Sequence, residues 1–271
     1  MNDNIPLSVI NDQGNIVYQN KDNNVVILSS IDNKYIYKFK NSPIINNEIN
    51  IYEYIKNCKN DKIGKIIPEY IGKKHNVEFN DKIYSYLIVL KREPGFITLQ
   101  NFIKNNKLTM KQKYMITKNL LYGLSILHMN DIIHCDIKPS NILIHEKTLK
   151  IKFIDFDLSK LINGYENMNF YNEELSGTLN FIDPYLINNK MYLNQNDLKN
   201  GDLWSLCVTI YLIYINRFPF NSNGKYRKYI PKHKTPRLIY DIPGKVLANK
   251  YRYSLEELIE YVNCIHNIII H

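Results

Sequence analysis

Between Tyr35 and Phe39 the chain alternates: Tyr35, Tyr37 and Phe39 fall on one face of an extended strand, Ile36 and Lys38 on the other. Two shorter β-like runs, Asn15–Tyr18 and Val25–Ser29, precede it within a polar stretch that begins at Ile5. Over Asn46–Ile55 the period changes, and Ile49, Tyr52 and Ile55 form one stripe of a short amphipathic helix. Ser85–Leu90 (S-Y-L-I-V-L) is nearly all apolar, the pattern of a buried strand. Helical periodicity returns at Leu99–Ile103 and dominates Met110–Met129, with Met115, Leu120, Leu121, Leu124 and Leu127 on the inner side. Asn141–Ile144 and Lys150–Ile154 then predict two strands joined by a polar turn at His145–Thr148.

Composition narrows the class. With 45% apolar and 23% charged residues, 271 residues are those of a globular protein with ample core. The longest interior apolar run, Val208–Ile215, is too short for a bilayer, and the start lacks the pattern of a signal peptide, so no membrane role is expected. Cys58, Cys135, Cys207 and Cys264 are scattered, which fits reduced thiols and a cytoplasmic setting and does not support a zinc site. The net charge of +9 accompanies abundant Asn, Ile, Lys and Tyr, all with A/T-rich codons, and no aromatic–basic recognition motif, so nucleic acid is not the expected partner. The densest basic run, Lys225–Arg237, reads first as a solvated loop and second as a surface for acidic substrates or a phosphorylated partner. The sequence carries no signature of oligomeric state.

The chemistry collects around the predicted hairpin. Asp136, Lys138 and Asn141 precede its first strand and Asp155 follows its second, so a hairpin would gather them at one end. Phosphoryl transfer asks for such a set: a carboxylate to orient the attacking hydroxyl, oxygen ligands for Mg²⁺, and a cation for the phosphate.

His134–Asn141 (H-C-D-I-K-P-S-N) and Asp155–Asp157 (D-F-D) resemble the H-R-D-x-K-P-x-N and D-F-G motifs of eukaryotic-type protein kinases. Gly177–Pro184 (G-T-L-N-F-I-D-P) resembles G-T-x-x-Y-x-A-P, Gly201–Phe220 resembles the family's D-V-W-S-L-G central helix, and Arg252–Leu258 resembles its late R-x-S-x-x-E-L helix start. Together these cover almost the whole chain. The resemblance implies an α+β, two-lobed fold: a small β-rich lobe over 1–90, then a hinge at Lys91–Gly95 and a mostly helical lobe over 91–271, with ATP between the lobes. It implies that Asp136 orients the substrate hydroxyl, Lys138 neutralises the γ-phosphate, and Asn141 and Asp155 hold Mg²⁺, with Mn²⁺ as the alternative. Lys38 takes the place of the strand lysine that holds the nucleotide phosphates. Glu48, preferred over Glu53, takes that of its helix partner, and Leu90 that of the gatekeeper. Thr178 would bond Asp136 and Lys138, Asp202 would brace the catalytic loop, and His134 and His128 are structural. The lysine two residues after Asp136 marks serine/threonine kinases, so a protein hydroxyl is the implied acceptor.

The departures are specific. The family's glycine-rich loop falls at Tyr18–Asn23, which has no glycine, although Asn20 and Asn23 tolerate left-handed conformations better than most residues. Cys135 replaces the arginine that pairs with a phosphorylated activation loop, and reads as a small inert thiol. Asp157 replaces the D-F-G glycine, at a cost on the order of 1–2 kcal/mol if that position needs positive φ. Tyr185 replaces the A-P-E glutamate, which leaves Arg252 without that partner. Two alternatives stay open: a pseudokinase acting as a binding or scaffold module, and a small-molecule kinase of the related phosphotransferase fold, whose I-D-F/W-D/E pattern Phe153–Asp157 (F-I-D-F-D) also fits.

Overall fold

Three strands open the chain, β1 (Asn15–Gln19), β2 (Val25–Leu28) and β3 (Tyr35–Lys40), followed by helix α1 (Asn47–Asn57), the short helix α2 (Ile63–Ile66), and strands β4 (Tyr70–Phe79) and β5 (Lys82–Lys91). The structure, a computed structural model, describes residues 15–19, 25–28, 34–41, 47–58, 60–162, 177–189, 193–219, 246–247 and 254–264. These five strands form one antiparallel sheet in the order β1-β2-β3-β5-β4. Alternation along β3 divides its faces as the pattern predicts. Tyr37 and Phe39 join Val77, Phe79, Tyr84, Leu87 and Val89 in a buried cluster, with the Phe39 and Phe79 rings stacked 4.6 Å apart. Lys38 and Lys40 share the opposite face, where Lys38 stands across from Ile88 and Lys40 across from Tyr86. The chain divides into two compact units, 1–94 and 95–271, so the boundary lies shortly after the Leu90 expected from the sequence.

The second unit opens with β6 (Phe96–Thr98) and α3 (Leu99–Asn105), whose N-terminus is capped by the Thr98 side chain. Helix α4 spans Met110–Met129, and a capping box of Thr109 and Gln112 sets its start. Its buried side includes Tyr114, Ile116, Leu120, Leu121, Leu124 and Leu127, while Met115 is half-buried. Gly123 lies where the helix meets the sheet: a Cβ there would stand 2.8 Å from Ile151 Cδ1 and 2.9 Å from Phe153 Cε2.

After β7 (Ile132–Ile133), a 3₁₀ turn at Pro139–Asn141 leads into β8 (Ile142–His145), which pairs antiparallel with β9 (Ile151–Phe153) and with β6. This is the hairpin read from the sequence, its first strand displaced by one residue. β10 (Lys160–Leu161) returns to pair with β7. Helix α5 (Pro184–Asn189) follows, then α6 (Gln195–Ile215). Helix α6 starts at an Asn194–Asp197 capping box, upstream of the Gly201 where the motif begins, and ends at Asn216 with φ 53°. It is buried along almost its whole length, which accounts for the apolar run Val208–Ile215 as core. Among the described residues no helix is long and apolar enough to cross a membrane. The last described helix is Leu255–Cys264.

Candidate active site

In the first unit, Lys38 Nζ lies 2.5 and 2.8 Å from the two carboxylate oxygens of Glu48, the first-turn acid of α1. Glu53 instead pairs with Lys73 at 2.8 Å on a half-exposed surface. Lys40, which the sequence motifs do not single out, also reaches Glu48, its Nζ 2.5 Å from Oε2. The signal for it was period two, since Lys40 shares the Lys38 face. Glu48 is fully buried, which alone would raise its pKa, but the charges and hydrogen bonds of Lys38 and Lys40 hold it down at about 2. Because the folded value lies below the ordinary 4.5, this stabilisation is complete above that pH and fades as pH falls toward 2. Urea midpoints measured across that window should therefore fall more steeply for the wild type than for Glu48→Gln, and parallel curves would refute the assignment. Leu90 is buried near the end of β5, opposite Ile36 and Tyr70.

In the second unit, the β8–β9 hairpin sets the geometry. Ile142 pairs with Phe153, and the Ile154 N–H donates to Asn141 O at 3.0 Å, so Asn141 and Asp155 leave the same end of the ladder. Asp136 is the hub. Its Oδ1 accepts from the Thr178 backbone N–H and hydroxyl, each at 2.9 Å. Its Oδ2 accepts from Lys138 Nζ at 2.6 Å and Asn141 Nδ2 at 2.8 Å. Lys138 Nζ also donates to Thr178 Oγ1 at 2.6 Å, closing a ring of three side chains. Burial alone would raise the Asp136 pKa; Lys138 first, then Thr178, more than offset this and keep it below the usual carboxylate range. Thr178 is held in reach by Gly177, whose φ of 142° few other residues adopt and where a Cβ would meet Cys135 O at 3.0 Å.

The support beneath is equally definite. His134, fully buried, packs its ring on Phe153 and Phe156. The Asp136 N–H donates to His134 Nδ1 at 3.3 Å, so the ring proton sits on Nε2, which donates to Ile154 O at 3.1 Å. Asp202, from α6, accepts from the His134 and Cys135 backbone N–H groups, both at 2.8 Å, and from His128 Nε2 at 3.0 Å. The Cys135 thiol is pushed well above its ordinary pKa by burial and then by Asp202, so it is a protonated thiol packed beside Ile133, Ile162, Leu186, Leu193 and Leu198.

Several expectations change. Positive φ falls on Asp155 (70°) and Cys135 (64°), not on Asp157, so the strain expected at the D-F-G glycine position does not arise there. Aspartate is among the residues that tolerate that region best. Tyr185 packs against the same apolar cluster as Cys135, and the segment Gly177–Pro184 is tied down by Ser205 Oγ, which donates to Phe181 O at 2.8 Å. Arg252, Lys225–Arg237 and the core of the glycine-free loop, 20–23, lie outside the described residues.

A family model described as "Protein kinase domain" matches residues 15–266, nearly the whole chain. The chain is 26% identical over 245 residues to a Dictyostelium discoideum protein named "Probable myosin light chain kinase", covering 86% of this chain and 45% of that protein. It is 26% identical over 225 residues to serine/threonine-protein kinase MPS1 of Encephalitozoon cuniculi, covering 81% of this chain and 33% of the relative. Protein kinase kin1 of Schizosaccharomyces pombe is 32% identical over 139 residues, 51% of this chain and 15% of its own. The chain thus spans less than half the length of each of these relatives. With the family match running from the first described strand past the last described helix, the chain belongs to the protein kinase domain family.

Proposed function

We propose that this chain is an active protein serine/threonine kinase, transferring the γ-phosphoryl group of ATP to a hydroxyl of a protein substrate. The observation that carries this reading is the closed Asp136–Lys138–Asn141–Thr178 hydrogen-bond set. Asn141 commits its Nδ2 to Asp136, and its Oδ1, which accepts a long 3.5 Å hydrogen bond from the Ser140 hydroxyl, keeps a lone pair to act as a ligand at the hairpin end that also carries Asp155. An amide oxygen and a carboxylate suit a hard divalent cation, so these two residues would hold Mg²⁺. Bound Mg²⁺ would supply charge neutralisation at the phosphates.

Asp136 orients the attacking hydroxyl. All four lone-pair directions of its carboxylate are used, so Lys138 turns from Oδ2 toward the transferring group and releases one for the substrate. With a depressed pKa, Asp136 is a weak base, suited to holding the hydroxyl and taking its proton late. The test is transfer of label from γ-labelled ATP to a generic protein with Mg²⁺ or Mn²⁺, followed by identification of the labelled amino acid. Phosphoserine or phosphothreonine is expected. Label on tyrosine overturns the specificity, label only on small molecules favours the related phosphotransferases, and ATP binding without transfer favours a pseudokinase.

A further inference from the structure

Lys40 has no part in the roles assigned so far, yet it is the more deeply buried of the two lysines on Glu48. Its side chain is 6% exposed, against 12% for that of Lys38. Lys38 and Lys40 rise from one face of β3, about 7 Å apart along the strand. Their equal-length side chains end on a single carboxylate, Lys38 Nζ 2.5 Å from Oε1 and Lys40 Nζ 2.5 Å from Oε2.

We propose that Lys40 is a second phosphate-directed lysine, interchangeable with Lys38: whichever ammonium turns toward the nucleotide phosphate, the other stays on Glu48. This rests on the reading that the chain takes ATP. A single lysine serving both groups weakens its hold on a buried carboxylate whenever it moves to the phosphate, and an uncompensated buried charge is strongly unfavourable. Here Lys38 spans both oxygens of Glu48 and Lys40 holds Oε2 as well, so one ammonium can leave while the carboxylate keeps a counter-charge. Because both ammoniums end on one carboxylate, either can reach a phosphate placed beside it.

The consequence is that substitution of the strand lysine alone should not silence this protein. Binding of Mg-ATP is measured by calorimetry for the wild type, Lys38→Met, Lys40→Met, the double variant and Lys40→Arg. Each single methionine variant is expected to weaken binding by less than about tenfold, and the double variant by far more than the product of the two, the signature of coupled sites. Lys40→Arg, which keeps the charge, should bind more tightly than Lys40→Met. The inference is overturned if Lys38→Met alone loses as much as the double variant. It is equally overturned if Lys40→Met lowers thermal stability while binding stays at the wild-type value. Should Lys40→Met fail to fold, Lys38→Met decides: retention of binding within about tenfold supports the exchange, and a greater loss overturns it. A wild type that binds ATP but transfers nothing defeats the kinase reading and leaves this one standing. A wild type that transfers label while Lys40→Met binds ATP unchanged defeats this one alone.

Discussion

Asp136→Asn is expected to lower phosphoryl transfer by about 10²–10⁴-fold, the range of a positioned general acid–base group. The reason lies in the donors around it. Two donors converge on each carboxylate oxygen: the Thr178 N–H and hydroxyl on Oδ1, Lys138 and Asn141 on Oδ2. An asparagine amide offers one acceptor oxygen and an NH₂ group, so in either orientation the NH₂ faces two donors. Lys138 also loses its counter-charge, and the substrate hydroxyl loses the group that orients it. Initial rates at saturating Mg-ATP check this, with Mg-ATP binding measured alongside to show that the variant folds. A variant within about threefold of the wild type would remove Asp136 from the chemistry, since even the weakest positioned group contributes more than that. The depressed pKa adds a sign: Asp136 stays ionised below the usual carboxylate range, so lowering the pH from neutrality toward that range should cost no rate through this group.

What the residues disclosed in advance, and what they hid, follows from how local each signal is. Helix α4 was legible from its 3.6 period, which runs from Met110 to Met129; the Thr109 cap that sets its start is a finding of the structure. The hairpin was legible because two apolar runs flank a polar turn. The motif around α6 begins only at Gly201; the helix's first turns, Gln195–Asn200, are polar apart from Leu198 and are set by the Asn194–Asp197 cap. Strand β4 gave no clear pattern. Among the described residues it pairs only with β5, at the sheet edge; its middle is polar, and its register shifts between Tyr70 and Gly72. The choice of Glu48 over Glu53 depended on motif spacing, and the geometry shows the cause: Glu48 enters the first turn of α1, facing β3, while Glu53 meets Lys73 of β4. Lys40 was hidden for a different reason. Period two put it on the Lys38 face, but that three charges would share one buried site depends on α1 packing over the strand, which no local pattern records.

The second large effect is expected at Asp202, which touches no reacting group. Asp202→Ala should destabilise the second unit by about 3–5 kcal/mol, in the range for breaking a buried polar network. Asp202 is 2% exposed, and its carboxylate is the acceptor for two backbone N–H groups and the His128 ring. Alanine leaves those donors without it in a space too apolar for water to replace it freely, at roughly 1–3 kcal/mol each. One of the two amides belongs to Cys135, whose φ of 64° is unfavourable for a non-glycine residue and is held in place by that bond. Asp136 is the next residue, so relaxation at Cys135 moves the carboxylate that gathers Lys138, Asn141 and Thr178. Urea denaturation measures the first effect as a shift in midpoint at constant slope, and transfer rates measured well below that midpoint give the second. Asp202→Asn separates the two: its single oxygen can serve one of the two amides, so it should recover part of the stability but little of the rate. A loss below about 1 kcal/mol for Asp202→Ala would mean that α6 does not brace the catalytic loop, because a single unsatisfied buried donor already costs that much.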